Sequence, residues 1–256
     1  MSRVDTPEQQ PPASGGRKSL IGRLADWIFN SALWKSMYMN PYPRDRRTRG
    51  LAVLNSLFLH LHPGRITRQA LTFRYTFGLG GTSFFMFILL TVTGVILMFY
   101  YIPSVPQAYF SIEDLETTVA FGQFFRNIHR WAAHAMVLLV FLHMVRVFYT
   151  GAYKPPRQFN WVIGVILLVL TFLMSFTGYL LPWDQLAYWA VTVGTNMAGA
   201  TPFVGDKLKF LLIGGYDINQ NTLIRWYTLH VFALPLVAAV FMGMHFWRVR
   251  KDGFSR

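Results

Sequence analysis

The sequence predicts an all-α integral membrane protein, a bundle of four membrane-crossing helices preceded by an amphipathic helix at the membrane surface. Three observations predict it. The 256 residues are 53% hydrophobic and only 14% charged, where soluble domains carry roughly 25% charged residues. Four apolar stretches, at about 78–101, 128–149, 160–181 and 226–248, each supply the ~20 helical residues that cross about 30 Å of hydrocarbon. The 24 Lys and Arg are sorted by side: nineteen lie in segments 1–77, 146–158 and 248–256, and five in the loops between.

The first eighteen residues, MSRVDTPEQQPPASGGRK, are polar and carry Pro and Gly. Without the apolar core of a secretory signal they read as a disordered tail. Residues 19–77 form a surface segment. Within it, SLIGRLADWIFNSALWKSMYMN (19–40) places Leu20, Leu24, Trp27, Ile28 and Leu33 near one helical face, with Arg23 and Lys35 elsewhere. That helix suits either an anionic membrane surface or the face of a partner subunit. Residues 78–256 contain the four crossings. An even number leaves both termini on one side, and the basic residues put that side at the cytoplasm, as in a bacterial inner membrane. The net charge of +13 is then a topology signal; spans divide the basic residues too thoroughly for a nucleic-acid footprint. The loop 182–225 mixes YWAVTVGTNM and KFLLIGG with Pro and Gly, which predicts short amphipathic helices along the opposite surface. With no cysteine, thiolate metal sites, iron–sulfur ligation and thioether-linked haem are excluded.

Imidazoles inside lipid-length helices need a reason. His129 and His143 lie fourteen residues apart on the second span, and His230 and His245 fifteen apart on the fourth. At 100° and 1.5 Å per residue, each pair stays broadly on one face with about 21–22 Å between its members. The second and fourth spans are parallel, so His129 comes level with His230 and His143 with His245. Two facing imidazoles can hold an iron porphyrin axially from both sides, which closes the iron to oxygen and suits it to electron transfer. A single histidine in a span more often bonds a neighbouring helix or lines a proton path, but two pairs matched in spacing, level and direction point to two non-covalent b-type haems.

A second repeat agrees. Gly80 and Gly94 on the first span, and Gly164 and Gly178 on the third, are each fourteen apart. Glycine removes the side chain where another body comes close; the expected bodies are the porphyrin faces, the alternative being ordinary close helix packing. Arg126 precedes His129 by three and Arg146 follows His143 by three, at the outer ends of the proposed haems, where they either pair with propionates or snorkel to the interface. His134 falls roughly 140° from His129 and reads as a contact between helices or subunits. His60 and His62 suit surface or quinone-pocket contacts. Pro235, inside the fourth span, cannot bond the carbonyl of Val231, so a kink is expected there.

The stretches RNIHRWAAHAMVLLVFLHMVRVFYTGAYKPPR, GYLLPWDQLAYWAVTVGTN and TLIRWYTLHVFALPLVAAVFMGMHFWRVRKDG resemble the cytochrome b of quinol-oxidising cytochrome bc complexes, closest to the split b6 type, over about residues 65–256. The resemblance implies that His129 and His230 hold a low-potential haem near the positive side, and His143 and His245 a high-potential haem near the negative side. It also implies haem-packing roles for Gly80, Gly94, Gly164 and Gly178 and propionate roles for Arg126 and Arg146. Phe176 and Tyr179 correspond to positions lining the quinol-oxidation pocket, and Arg250 to a basic residue near the negative-side quinone site. The implied partners are a Rieske-type iron–sulfur protein, a c-type cytochrome, membrane lipid and quinone, in a dimeric complex.

Two departures matter. Gly78 stands where b6 chains carry the cysteine of an extra covalent haem, so no covalent haem is expected. The later helices and the PEWY motif of the oxidation pocket are not in these 256 residues and are expected on a separate subunit. The implied activity is bifurcated: one quinol electron goes to the iron–sulfur partner and onward to the c-type cytochrome, while the other crosses the membrane to a quinone. The chain is then a subunit of a quinol oxidoreductase and is not catalytic alone. A second reading keeps the haems but makes the chain the membrane anchor of a dehydrogenase; a third is a non-redox transport protein using the histidines as proton sites.

Overall fold

The computed structural model describes residues 19–31, 34, 45–49, 68 and 72–253. The tail 1–18, Leu33, His60 and His62 lie outside the described residues. The chain divides into two compact units, residues 1–59 and 60–256.

In the first unit, helix α1 runs Leu20–Asn30. The Ser19 side chain caps it by accepting from the Gly22 N–H at 3.2 Å, and Ser31 closes it by donating its hydroxyl to the Ile28 carbonyl at 2.7 Å. The helix is shorter than the stretch 19–40. Within its unit, Leu20, Ile21, Leu24 and Trp27 are all exposed among the described residues.

In the second unit the elements are α2 (Phe73–Thr76), α3 (Leu79–Met98), α4 (Gln107–Thr117), α5 (Gly122–Tyr149), α6 (Gln158–Tyr179), α7 (Gln185–Gly199), α8 (Gly205–Ile213), α9 (Gln220–Thr228), a π-helical turn (Leu229–Ala233) and α10 (Leu234–Asp252). No strand occurs among the described residues. Helices α3, α5, α6 and the continuous α9–π–α10 rod are long and apolar enough to cross a membrane. Phe77 and Gly78 both take positive φ, 51° and 64°, at the entry to α3. Glycine takes that conformation without the Cβ penalty of an L side chain, and the turn redirects the chain into the first span.

Two boundaries differ from the expectation. The second span starts at Gly122 rather than near 128, because Gln123, Arg126 and Asn127 make polar the first turns of a helix that is already formed. Its 28 residues extend about 42 Å, so the ends project beyond the hydrocarbon. The fourth span starts at Gln220, where Asn219 and Thr222 form a reciprocal capping box. Gln220 fastens that end to the loop after α3: its side chain accepts from the Val105 N–H at 2.7 Å and donates to the Pro103 carbonyl at 2.8 Å.

The spans close into a ring. α3 packs along α5, α5 along α6, and α6 along α10, while Phe84 of α3 meets Phe246 of α10 edge-on at 5.1 Å. α5 and α10 are diagonal partners without extensive direct packing, and this diagonal leaves an internal slot. Outward residues such as Phe85, Val92, Leu138 and Val240 are exposed. In a bundle whose fourth span has only 6% of its apolar window buried, such surface belongs in lipid or against other subunits.

The loops and short helices between spans form a cap at one end. Within the segment 182–225, α7 and α8 are short helices, as its composition predicted, and α9 already begins the fourth rod. Asp184 of the PWDQ turn starts α7 by accepting from the Ala187 N–H at 2.7 Å. Tyr101 donates its hydroxyl to the Leu181 carbonyl at 2.6 Å and stacks on Tyr227. Burial pushes the Tyr101 hydroxyl well above its ordinary pKa, so it stays protonated and keeps donating. Leu180, Val191 and Trp226 bury together beneath this layer.

Candidate functional site

The slot between α5 and α10 is where the histidines meet. His129 faces His230 with ring centres 6.3 Å apart and planes at 74°. His143 faces His245 at 6.4 Å and 77°. The fourteen-residue and fifteen-residue intervals reach matching levels because of the π-helical turn. There the Leu234 N–H reaches back five residues to the Leu229 carbonyl, so the rod takes in one extra residue without a further step along its axis. Pro235, at the start of α10, has no N–H to continue the regular ladder, and the π-helical turn lies immediately before it.

Each imidazole is held by the helix beside it. Gly80 lies against His143, Gly94 against His129 and Gly178 against His230, where an added Cβ would stand 3.3, 3.2 and 2.6 Å from the ring Cε1. Gly164 is looser, at 3.5 Å from Met144 Sδ and 3.8 Å from His245 Cε1. The bodies closest to Gly80, Gly94 and Gly178 in this structure are therefore the imidazole rings themselves. Two threonines that the spacing does not single out add hydrogen bonds. Thr93 Oγ1 lies 2.9 Å from His129 Nδ1, and Thr177 Oγ1 3.1 Å from His230 Nδ1. A signal was present, since each threonine immediately precedes a repeat glycine.

The other predicted residues are placed as follows. Arg146 donates Nε to the Tyr75 carbonyl at 3.1 Å and lies over the Tyr75 ring, while its Nη2 is buried without a partner among the described residues. Arg126 is ion-paired with Glu116 of α4, so a propionate there would share or displace that carboxylate. Phe176 packs inward against Trp226 and Gly194, whereas Tyr179, one turn on, is exposed. Arg250 lies in the last turn of α10, beside Arg248, which is buried and paired with Asp252 at 2.6 Å. His134 points away from the slot, exposed, with Trp131 edge-on at 5.7 Å.

The family described as Cytochrome b/b6/petB matches residues 66–253. The chain belongs to the cytochrome b/b6 family. It is 50% identical over 177 residues to cytochrome b6 of Porphyra purpurea, covering 69% of this chain and 82% of that protein. Cytochrome b6 of Prochlorococcus marinus (strain MIT 9215) is 48% identical, covering 69% of this chain and 81% of that one. Among solved structures, a chain of a hyperthermophilic respiratory complex III superposes with a TM-score of 0.65 at 26% identity; the match covers 90% of this chain and 55% of that one. This protein spans about half the length of that complex III chain. The cytochrome b/b6 membership makes it a haem-binding integral membrane protein, an electron-transfer subunit of a multi-subunit quinol-oxidising complex of the bc type. The dehydrogenase-anchor and non-redox readings are set aside.

The residues present fit haem. Among the described residues, no group of three or more His, Asp or Glu gathers for a protein-only metal site. Facing pairs of imidazoles are two-donor sets that need a macrocycle to complete an iron. A first-row metal binds an imidazole nitrogen at about 2.0–2.1 Å, and that nitrogen lies roughly 1.1 Å from its ring centre, so two collinear imidazoles on one ion stand about 6.2–6.4 Å apart. Both pairs have this spacing. Arg146 Nη2, without a partner among the described residues, is a donor of the kind that binds a carboxylate.

Proposed function

We propose that this chain is the di-haem subunit of a quinol:cytochrome c (or plastocyanin-type) oxidoreductase, with bis-imidazole ligation by His129 with His230 and by His143 with His245. The observation that carries the reading is the pair of ring separations, 6.3 and 6.4 Å, across one slot. Bound there, two b-type haems supply a one-electron path between the membrane faces.

The residues of the chain do the rest. The four imidazoles present neutral nitrogen donors, and Gly80, Gly94, Gly164 and Gly178 leave room for the rings. Arg146 and Arg126 offer cations to propionates. Phe176 and Tyr179 contribute to a quinol-oxidation pocket at one end, and Arg250 to a quinone site at the other. Residues 78–256 form the di-haem domain and 19–77 a surface segment. Lys154 and Arg157 lie at the bundle end that carries Arg248, Arg250 and Lys251, and by charge this end faces the cytoplasm of a bacterium. The partners are a Rieske-type iron–sulfur protein and a c-type cytochrome, in a dimeric assembly.

Affinity purification of the intact complex from native membranes tests this directly. The expected result is two b haems per copy of this chain, an iron–sulfur protein among the co-purifying subunits, and quinol-dependent reduction of a c-type acceptor. One haem per chain, or a dehydrogenase in place of the iron–sulfur protein, overturns the reading.

Arg146 gives a finer expectation. Replacing it with Gln removes a half-buried cation that disfavours the extra charge of ferric iron. The midpoint potential of the second haem should fall by roughly 65–130 mV, the one-electron equivalent of a lost hydrogen bond to a charged group, ~1.5–3 kcal/mol. The first haem should titrate unchanged, and potentiometry of the purified complex reads both.

A further inference from the structure

We propose that Thr93 and Thr177 are positioning residues that fix both imidazoles of the His129/His230 pair in one tautomer, and thereby set the redox potential of that haem apart from its neighbour's. The inference rests on the bis-imidazole reading above and deepens it.

A threonine hydroxyl has one proton to give. Thr93 Oγ1 lies 2.7 Å from the Leu89 carbonyl, which can only accept, so the hydroxyl proton is committed there. The 2.9 Å contact with His129 Nδ1 must then be a bond donated by Nδ1–H to the threonine oxygen. This leaves Nε2 as the ring's bare lone pair, the form a metal takes. Thr177 repeats the arrangement, donating to the Met174 carbonyl at 3.1 Å and accepting from His230 Nδ1 at 3.1 Å. Both threonines are buried, at 2% and 1% exposure, so water does not compete for these bonds.

The dipeptide matters as much as the hydroxyl. Thr93–Gly94 and Thr177–Gly178 each present a hydroxyl to a ring nitrogen and an absent Cβ to the same ring's Cε1. Other threonines on these spans, Thr91 and Thr171, bond only the carbonyl four residues back. The second pair is built differently. Gly80 and Gly164 follow Leu79 and Ile163, which have no hydroxyl to offer. Among the described residues no hydroxyl reaches Nδ1 of His245, which lies toward the Asn160 main chain and is buried without a side-chain partner.

An N–H donated to an oxygen makes the opposite nitrogen a more basic ligand, and a more basic ligand favours ferric over ferrous iron. Removing either hydroxyl should therefore raise the midpoint potential of one haem only.

The test uses Thr93→Val and Thr177→Val in the complete complex, with Thr93→Ser and Thr177→Ser as conservative rescues. Should a Val variant fail to assemble, Thr93→Ala and Thr177→Ala take its place. Haem content and a potentiometric titration resolving the two haems are the readouts. The expected result is an upward shift in the same haem for both positions, an unmoved second haem, and wild-type titration in the Ser variants. Unmoved midpoints, shifts in different haems, or a shift that Ser reproduces overturn the inference. Fewer than two haems per chain in the unmodified complex removes the underlying bis-imidazole reading instead, so the two failures are distinguishable.

Discussion

Replacing His245 with leucine is expected to lower the bound haem from two to about one per chain, leaving the His129/His230 haem in place. Leucine fills the volume of the ring but offers no nitrogen, so His143 keeps a single axial donor facing an apolar wall. The separation of the pairs along the bundle makes the loss local. Gly94, Thr93, Gly178 and Thr177 contact only the first pair, and nothing that holds it passes through His245. His143→Leu should behave identically from the other side of the slot. Loss of an outer hydrogen-bond partner already costs a metal site 10–100-fold, so losing the ligand itself should cut quinol-dependent acceptor reduction by at least about 100-fold. Haem-to-protein ratio and a reduced-minus-oxidised spectrum are the measurements. A variant that retains two haems with an unaltered titration removes the assignment of both residues.

Much of this architecture was legible because membrane spans and fixed intervals are long-range regularities of sequence. The four spans follow from apolar length, and the facing of His129 with His230 follows from helix pitch and direction. The missing pieces were local exceptions to that regularity. A hydropathy window discounts Gln123, Arg126 and Asn127, so the true start of α5 at Gly122 was invisible to it. A 3.6-residue period cannot register one inserted residue; the only trace of the π turn at Leu229–Ala233 was an interval of fifteen where the partner helix had fourteen. The Arg126–Glu116 pair depends on α4 folding back against α5, which no periodicity encodes. The threonines were overlooked because hydroxyls on apolar helices usually bond their own backbone, and only the meeting of two helices shows that these two also serve a neighbour. The glycine spacing predicts close approach to a porphyrin face, whereas the bodies close to Gly80, Gly94 and Gly178 are imidazole edges, which leave no mark in the spacing.

That distinction makes the four glycines unequal, and the inequality can be measured. An alanine Cβ at Gly178 would stand 2.6 Å from His230 Cε1, 3.1 Å from Nε2 and 3.2 Å from Nδ1. The ring cannot swing aside freely, since Thr177 anchors Nδ1 and the π turn sets the backbone behind it. Overpacking of this kind costs ~1–3 kcal/mol, which is roughly a 5- to 150-fold loss in affinity for a ligand that needs the ring in place. Gly164→Ala instead adds a methyl at 3.5 Å from a flexible Met144 sulfur and 3.8 Å from His245, ordinary van der Waals distances, and both haems should remain. Gly94→Ala and Gly80→Ala, at 3.2 and 3.3 Å, should fall between. Haem retention against temperature in the four variants ranks them, and the expected order is Gly164, then Gly80 with Gly94, then Gly178 as the most damaging. If the glycines served porphyrin faces alone, the four alanines would act through their distance from the macrocycle, with no relation to the imidazole contacts. A Gly164→Ala variant as damaging as Gly178→Ala would therefore argue for that view and against ring clearance as the reason these positions are glycine.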